Sequence, residues 1–311
     1  MKHRALNIAV ILIFIAGLAI FLCPIGANYV YEHKAQGVIS GFDEAAQELR
    51  QAEKESAQSG EDPAFRELYA DMQAYNLNLY ENGQDSLRDP FSHEAPAFDL
   101  TGYGFEENMV GYISIPKMDV KLPIYLGAST DDLALGVGNL GYTSIPIGGT
   151  NTNTVLAGHR GYRGTAMFRD IEALEIGDKV YVTNFWDTLV YEVAETKVIL
   201  PTDIQEVYIQ EGRDMVTLIT CHPYTKNYQR YVVYCERVEA ADIKEADTTA
   251  RPGLENIFHW NELSASEKLI FVERGLPAGV AVLLLLFIVI KLILWVFRSV
   301  SARDKMNKNA D

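Results

Sequence analysis

The chain has 311 residues, enough for one or two domains at about 150 residues each, and its 48% hydrophobic content leaves apolar mass beyond one core. A formal net charge of −15 argues against a nucleic-acid binder, because phosphate recognition needs clustered Lys and Arg; it suits solubility, or a basic partner such as a lysine-bearing protein. Three cysteines cannot close a disulfide framework, and no pair has zinc-ligand spacing, so at least one thiol is free.

Residues 6–22 carry no charge and one strongly polar side chain, Asn7, and they follow Lys2, His3 and Arg4. With its neighbours this run is long enough to cross about 30 Å of hydrocarbon, so 1–27 is expected to be an N-terminal transmembrane anchor or signal segment. Residues 28–81 form a helical region, in which Phe42, Ala45, Ala46 and Leu49 keep helical spacing and Gly60-Glu61-Asp62-Pro63 interrupts the pattern. Residues 82–104 hold Gly83, Pro90, Pro96 and Gly102 with few periodic apolar positions, and are expected to be a loop lying over another part of the fold.

Over 105–240 the pattern turns to short β-branched and aromatic runs. They lie at 110–115, 120–125, 154–157, 179–182, 189–193, 215–220 and 230–234, with a brief helical insert at 167–174. Punctuated by Gly and Pro, these runs argue a mainly β barrel or sandwich. Residues 241–275 are a polar linker. Residues 276–297 are apolar except Lys291, and 22 residues of helix span about 33 Å, so this segment is expected to be a C-terminal transmembrane helix. Residues 298–311 form a basic tail. Basic residues flank the outer end of each apolar run. The positive-inside rule therefore puts both termini in the cytoplasm and the residues between the two runs outside the cell membrane.

Three segments of the β region hold reactive side chains: Leu156-Ala157-Gly158-His159-Arg160-Gly161, Thr217-Leu218-Ile219-Thr220-Cys221 and Asn227-Tyr228-Gln229-Arg230. A lone Cys is usually a small buried hydrophobe. Cys221, however, ends a strand-like run just before Pro223, where the ladder must stop. His159 sits between glycines after an apolar strand, on a sharp turn. A hairpin turned at 223–227 would bring Arg230 back beside Cys221. The thiolate is the reactive form of Cys and needs a nearby cation or base, and acyl chemistry needs donors for an oxyanion. Cys221, His159 and Arg230 supply these parts. His222 is a poor base for Cys221, because adjacent strand residues face opposite ways. Cys235 could pair with Cys221 only if the register aligned their Cβ atoms, and is expected to be inert. Cys23 belongs to the first apolar run.

In combination these segments resemble the sortase family, whose signature is a Thr-Leu-x-Thr-Cys strand, an upstream His in a Gly-His-Arg-Gly turn and a downstream Arg. The resemblance covers about 109–236 and implies an eight-stranded sortase-type β-barrel. It implies Cys221 as nucleophile, His159 as general acid/base and Arg230 as stabiliser of substrate and oxyanion. It further implies cleavage of a Leu-Pro-x-Thr-Gly-like sorting signal between Thr and Gly, then acyl transfer to an amine. Asp89-Pro90-Phe91, ahead of the barrel, looks like the lid of class C, pilin-polymerising sortases. The implied partners are then pilin subunits carrying a C-terminal sorting signal and an acceptor lysine, together with the lipid bilayer. Asn139 stands where many relatives have His. No metal cluster or phosphate loop is present in the sequence, so no cofactor is expected. Competing readings are anchoring of proteins to peptidoglycan, hydrolysis by a cysteine protease, and a membrane-bound scaffold without catalysis.

Overall fold

The computed structural model describes residues 2–59, 64–89, 91, 98–103, 105, 108–162, 165–239, 287 and 291. Eight strands close into a barrel: β1 (Met109–Ile115), β2 (Val120–Leu126), β3 (Val137–Asn139), β4 (Thr152–Ala157), β5 (Lys179–Asn184), β6 (Thr188–Ile199), β7 (Asp214–His222) and β8 (Gln229–Arg237). They neighbour one another in the order β1-β2-β3-β4-β7-β8-β6-β5. β2 with β3 and β4 with β7 are parallel pairs, and the remaining pairs are antiparallel.

Every apolar run expected to be a strand is one, and among the described residues the structure adds a strand and a short α-helix. β3 has three residues and a central glycine. A Cβ on Gly138 would stand 2.4 Å from the Gly127 carbonyl oxygen, so the close approach of two backbones excludes any larger residue. The short helix α3 (Thr130–Leu135) is capped by Ser129, whose Oγ accepts from the Asp132 amide at 3.1 Å. β6 runs well past the expected 189–193, because its second half, Glu195 to Val198, is solvent-exposed and lacks the apolar pattern of a buried strand. Residues 167–174 form turns and a 3-10 turn, Ile171–Ala173, rather than an α-helix.

The central strands are covered on both faces, which is why they read as nearly continuous apolar runs. Val216, Leu218, Val233 and Cys235 point into one buried cluster, while Met215, Ile219, Val232 and Tyr234 point into another. The first cluster extends to two helices, α1 (Lys2–Ser59) and α2 (Ala64–Asn82), through Ile39, Phe42, Ala46, Phe65, Leu68 and Met72. Asn76 clamps α2 to the barrel: its Nδ2 donates to the Ile145 carbonyl at 3.2 Å, and its Oδ1 accepts from the Ile145 amide at 2.8 Å. The expected helical region thus packs onto the barrel.

α1 is continuous from Lys2, so the boundary expected at residue 27 is no break in the backbone; the lone Pro24 removes one ladder bond without ending the helix. Among the described residues no helix is long and apolar enough to cross a membrane. The chain divides into two units, Met1–Arg251 and Pro252–Asp311. The second unit is described only at Phe287 and Lys291, so the linker beyond 239, the rest of the 276–297 run and the basic tail lie outside the described residues.

All three thiols are free. Cys235 pairs across the ladder with Val216 and Val193, whereas Cys221 lies opposite Arg230, so the two cysteines are not in bridging register. Burial pushes the Cys235 thiol well above its ordinary value. Because its folded pKa is the higher one, the unfolded chain loses the proton first as pH rises. Stability is therefore full below the unfolded value, about 8.5, and declines above it by up to about 1.4 kcal/mol per pH unit. Cys235→Ala should remove this contribution. Urea titrations from about pH 8 to 10 should show the parent losing stability more steeply than the variant, and parallel slopes would mean the thiol is hydrated.

Candidate active site

β7 and β8 form a hairpin whose turn is closed by the Lys226 and Asn227 amides donating to the Pro223 carbonyl at 3.0 and 3.1 Å. This register sets Cys221 directly opposite Arg230, as the spacing of the two residues suggested. Side-chain alternation puts Cys221 on the face of Met215 and Ile219, and Arg230 on the face of Val232 and Tyr234. That face is the outer one, against which Leu87 and Phe91 pack.

His159 arrives from the neighbouring parallel strand. The β4–β7 register ends at Ala157 opposite Ile219 and is prolonged by two further bonds. The Gly158 amide donates to the Ile219 carbonyl at 3.1 Å, and Thr220 Oγ1 donates to the Gly158 carbonyl at 2.6 Å. His159 therefore leaves its strand level with Cys221. Gly158 must be glycine, because a Cβ there would lie 2.7 Å from the Phe168 ring. The His159 ring stacks on Tyr162 at 4.8 Å between centroids and 11° between planes, and meets Phe91 at 6.0 Å on another side. Tyr162 was not singled out in the sequence; its only signal was an aromatic ring just after the Gly-His-Arg-Gly turn.

Asp89 reaches the site from the segment ahead of the barrel. Arg230 Nε donates to Asp89 Oδ1 at 2.8 Å and Nη2 donates to Oδ2 at 2.8 Å, a bidentate pair. Arg230 Nη1 donates to the carbonyls of Asn227 at 3.1 Å and Gln229 at 2.8 Å. The guanidinium lies 5.1 Å from the centroid of Phe91. Asp89 and Phe91 thus lie over the Cys221–Arg230 pair, and Pro90 lies outside the described residues. Two anchors fix the base of this segment. Leu87 is fully buried. Gln84 donates to the Tyr142 carbonyl at 2.9 Å and accepts from the Ile209 amide at 2.7 Å.

Cys221 is half-buried, and burial pushes its thiol above the ordinary range. Arg230 pulls it back down, Asp89 pushes it up again, and Arg160 pulls it down. Removing Asp89 would thus leave the thiolate better supported.

His222 faces away from Cys221. It meets Tyr231 at 5.7 Å and lies with Nδ1 2.7 Å from Arg160 Nη1 and 3.1 Å from Glu172 Oε1. Asn139 is buried and donates to Thr143 Oγ1 and the Ser144 carbonyl, each at 3.1 Å, so its contacts hold the β3–β4 connection. Among the described residues no group of His, Cys, Asp or Glu could hold a metal ion. The arrangement places a half-buried thiol, an imidazole and a guanidinium at the ends of three adjacent strands, with the guanidinium occupied by a carboxylate.

The family described as Sortase domain matches residues 113–238, which include Cys221, His159 and Arg230. Sortase D of Bacillus subtilis (strain 168) is 32% identical over 131 residues, 41% of this chain and 63% of that protein. Sortase A of Bacillus anthracis is 32% identical over 128 residues, 41% of this chain and 59% of that protein. The chain thus spans less than two thirds of the length of these curated relatives. Among solved structures, sortase C of Streptococcus pneumoniae is 31% identical with a TM-score of 0.55, covering 65% of this chain and 97% of that one. Sortase C of Clostridium perfringens, solved with the C-terminal cell wall sorting motif, is 33% identical with a TM-score of 0.54, covering 66% and 100%.

Proposed function

The chain belongs to the sortase family, and from that premise we propose that it is a membrane-anchored, class C cysteine transpeptidase that polymerises pilin subunits. The observation that carries this reading is the bidentate Asp89–Arg230 pair beside Cys221, an occupied site that a substrate must open. The apolar runs at 6–22 and 276–297 and their basic flanks support an anchored chain with its barrel outside the cell.

The reaction divides into two acyl transfers. The Cys221 thiolate attacks the Thr carbonyl carbon of a Leu-Pro-x-Thr-Gly-like signal, forming an S–C bond, and Arg230 donates to the resulting oxyanion. The C–N bond to Gly breaks as His159 protonates the departing amine. A pilin lysine amine then attacks the thioester, His159 takes its proton, and the C–S bond breaks to leave an isopeptide bond and free Cys221.

Intact-mass analysis tests the reading. A variant with Asp89→Ala and Phe91→Ala is mixed with a Leu-Pro-x-Thr-Gly peptide and a lysine-bearing pilin domain, beside the same protein carrying Cys221→Ala. A Cys221-dependent acyl adduct that passes to the pilin is expected. Transfer to a peptidoglycan amine instead would make the protein a surface-protein anchoring enzyme, and loss of the adduct to water alone would make it a protease. No adduct on an alkylatable thiol would overturn transpeptidation altogether.

A further inference from the structure

The geometry points to Arg160 as a positioning residue for the reaction, a buried guanidinium that ties the end of β4 to the end of β7 and so sets His159 against Cys221. The inference rests on those two residues being the acid/base and the nucleophile.

Arg160 directly follows His159, as His222 directly follows Cys221. In two strand ends held in parallel register, neighbouring side chains alternate faces, so each reactive residue has a partner pointing the opposite way. These two partners meet. Arg160 Nη1 lies 2.7 Å from His222 Nδ1 and donates to the Cys221 carbonyl at 3.5 Å, while Nη2 pairs with the Glu172 carboxylate. The contact gives His222 a fixed place: its Nδ1 lies between the Arg160 guanidinium and the Glu172 carboxylate, and its ring is held away from the thiol. Glu172 sits in the 3-10 turn that begins just after Phe168, the ring packed on Gly158, so the network also secures the turn that presents His159.

The residue is costly to bury. Its side chain is 7% exposed, and its Nε has no hydrogen-bond partner among the described residues. A purely structural tie between two strand ends could be made by an uncharged side chain without that cost. A cation here also bears on Cys221, whose thiol it draws downward together with Arg230. Glu172 is its more exposed counter-charge.

The test uses the full chain in detergent with Asp89→Ala and Phe91→Ala as the parent, so that lid motion does not mask the thiol. Two quantities are read: the pH midpoint of Cys221 alkylation by iodoacetamide, and kcat and KM for peptide transfer. Arg160→Gln should raise the midpoint and lower kcat about tenfold or more with KM little changed. Arg160→Lys should restore the midpoint, because it keeps the charge, but not kcat, because it lacks the fork. A merely structural arginine would move neither the midpoint nor the kcat-to-KM split, and parental values in Arg160→Gln would overturn the inference. If Arg160→Gln does not fold, Glu172→Gln decides. Loss of this carboxylate should loosen the clamp enough to lower kcat with KM little changed, and a parental kcat would overturn the inference. A parent that forms no acyl adduct would instead overturn the transpeptidase reading, while the alkylation midpoints would still show whether Arg160 supports the thiolate.

Discussion

Arg230→Lys is expected to lower peptide transfer by about 10²–10³-fold while leaving the barrel folded, because it removes an oriented pair of donors and keeps the charge. Arg230 is buried, and its orientation is set by its own hairpin: Nη1 is held by the carbonyls of Asn227 and Gln229, which turns Nε and Nη2 toward the groove over Cys221. Asp89 occupies those two donors in the closed site. A carboxylate and a tetrahedral oxyanion both present negative oxygen, so the guanidinium edge that holds Asp89 is the edge that would hold the oxyanion. Lysine would still support the thiolate as a point charge, but it offers no planar fork aimed from this strand. The measurement is kcat/KM for transfer in the Asp89→Ala, Phe91→Ala background, with a thermal melt alongside. Activity within about threefold of the parent would assign oxyanion stabilisation to other donors, such as backbone amides. A melt lowered as much as the activity would assign the loss to folding.

The grouping of Cys221, His159 and Arg230 was legible because each of them sits at the end of a strand with a strong local pattern. Thr217-Leu218-Ile219-Thr220 is an apolar run stopped by Pro223, and nine residues on a hairpin return Arg230 to Cys221 in the observed register. His159 was legible from its flanking glycines, and Gly158 proves necessary for packing against Phe168. The placement of His222 followed from strand alternation alone. What escaped the sequence depends on long-range contact. β3 is three residues with a glycine at its centre, too short for any period. The far half of β6 carries Glu195, Thr196 and Lys197 on an exposed edge, and its pairing with β8 decides that it is a strand. The Arg160–Glu172–His222 network joins a turn, a 3-10 segment and a strand end, and no spacing announces it. Asp89 and Arg230 are 141 residues apart, and only the family resemblance drew attention to Asp89.

Asp89→Ala is expected to speed alkylation of Cys221 by about 10–100-fold, because the bidentate pair with Arg230 ties the tip of this segment to the site. Its base is secured by Leu87 and Gln84, which the substitution leaves untouched. Beyond Leu87, the described contacts over the thiol are the Asp89 pair and the Phe91 ring against Arg230 and His159. Charge-assisted hydrogen bonds contribute about 1.5–3 kcal/mol, and each 1.4 kcal/mol of a closed-to-open equilibrium is a factor of ten. Losing the pair should therefore raise the open fraction by one to two decades. The same change removes a negative charge that pushes the thiol upward. The two effects separate on a pH profile: opening multiplies the rate at every pH, whereas the lost charge moves the midpoint down. Asp89→Asn, which keeps the shape and loses the charge, should give most of the midpoint shift and part of the acceleration. Phe91→Ala should accelerate alkylation with little change of midpoint, since its ring carries no net charge. If Asp89→Ala moves the midpoint without multiplying the rate below it, the segment tunes the thiol and does not gate it. If neither changes, the Asp89–Arg230 pair is peripheral to access, and opening must be controlled at Leu87 and Gln84, where the segment leaves the barrel.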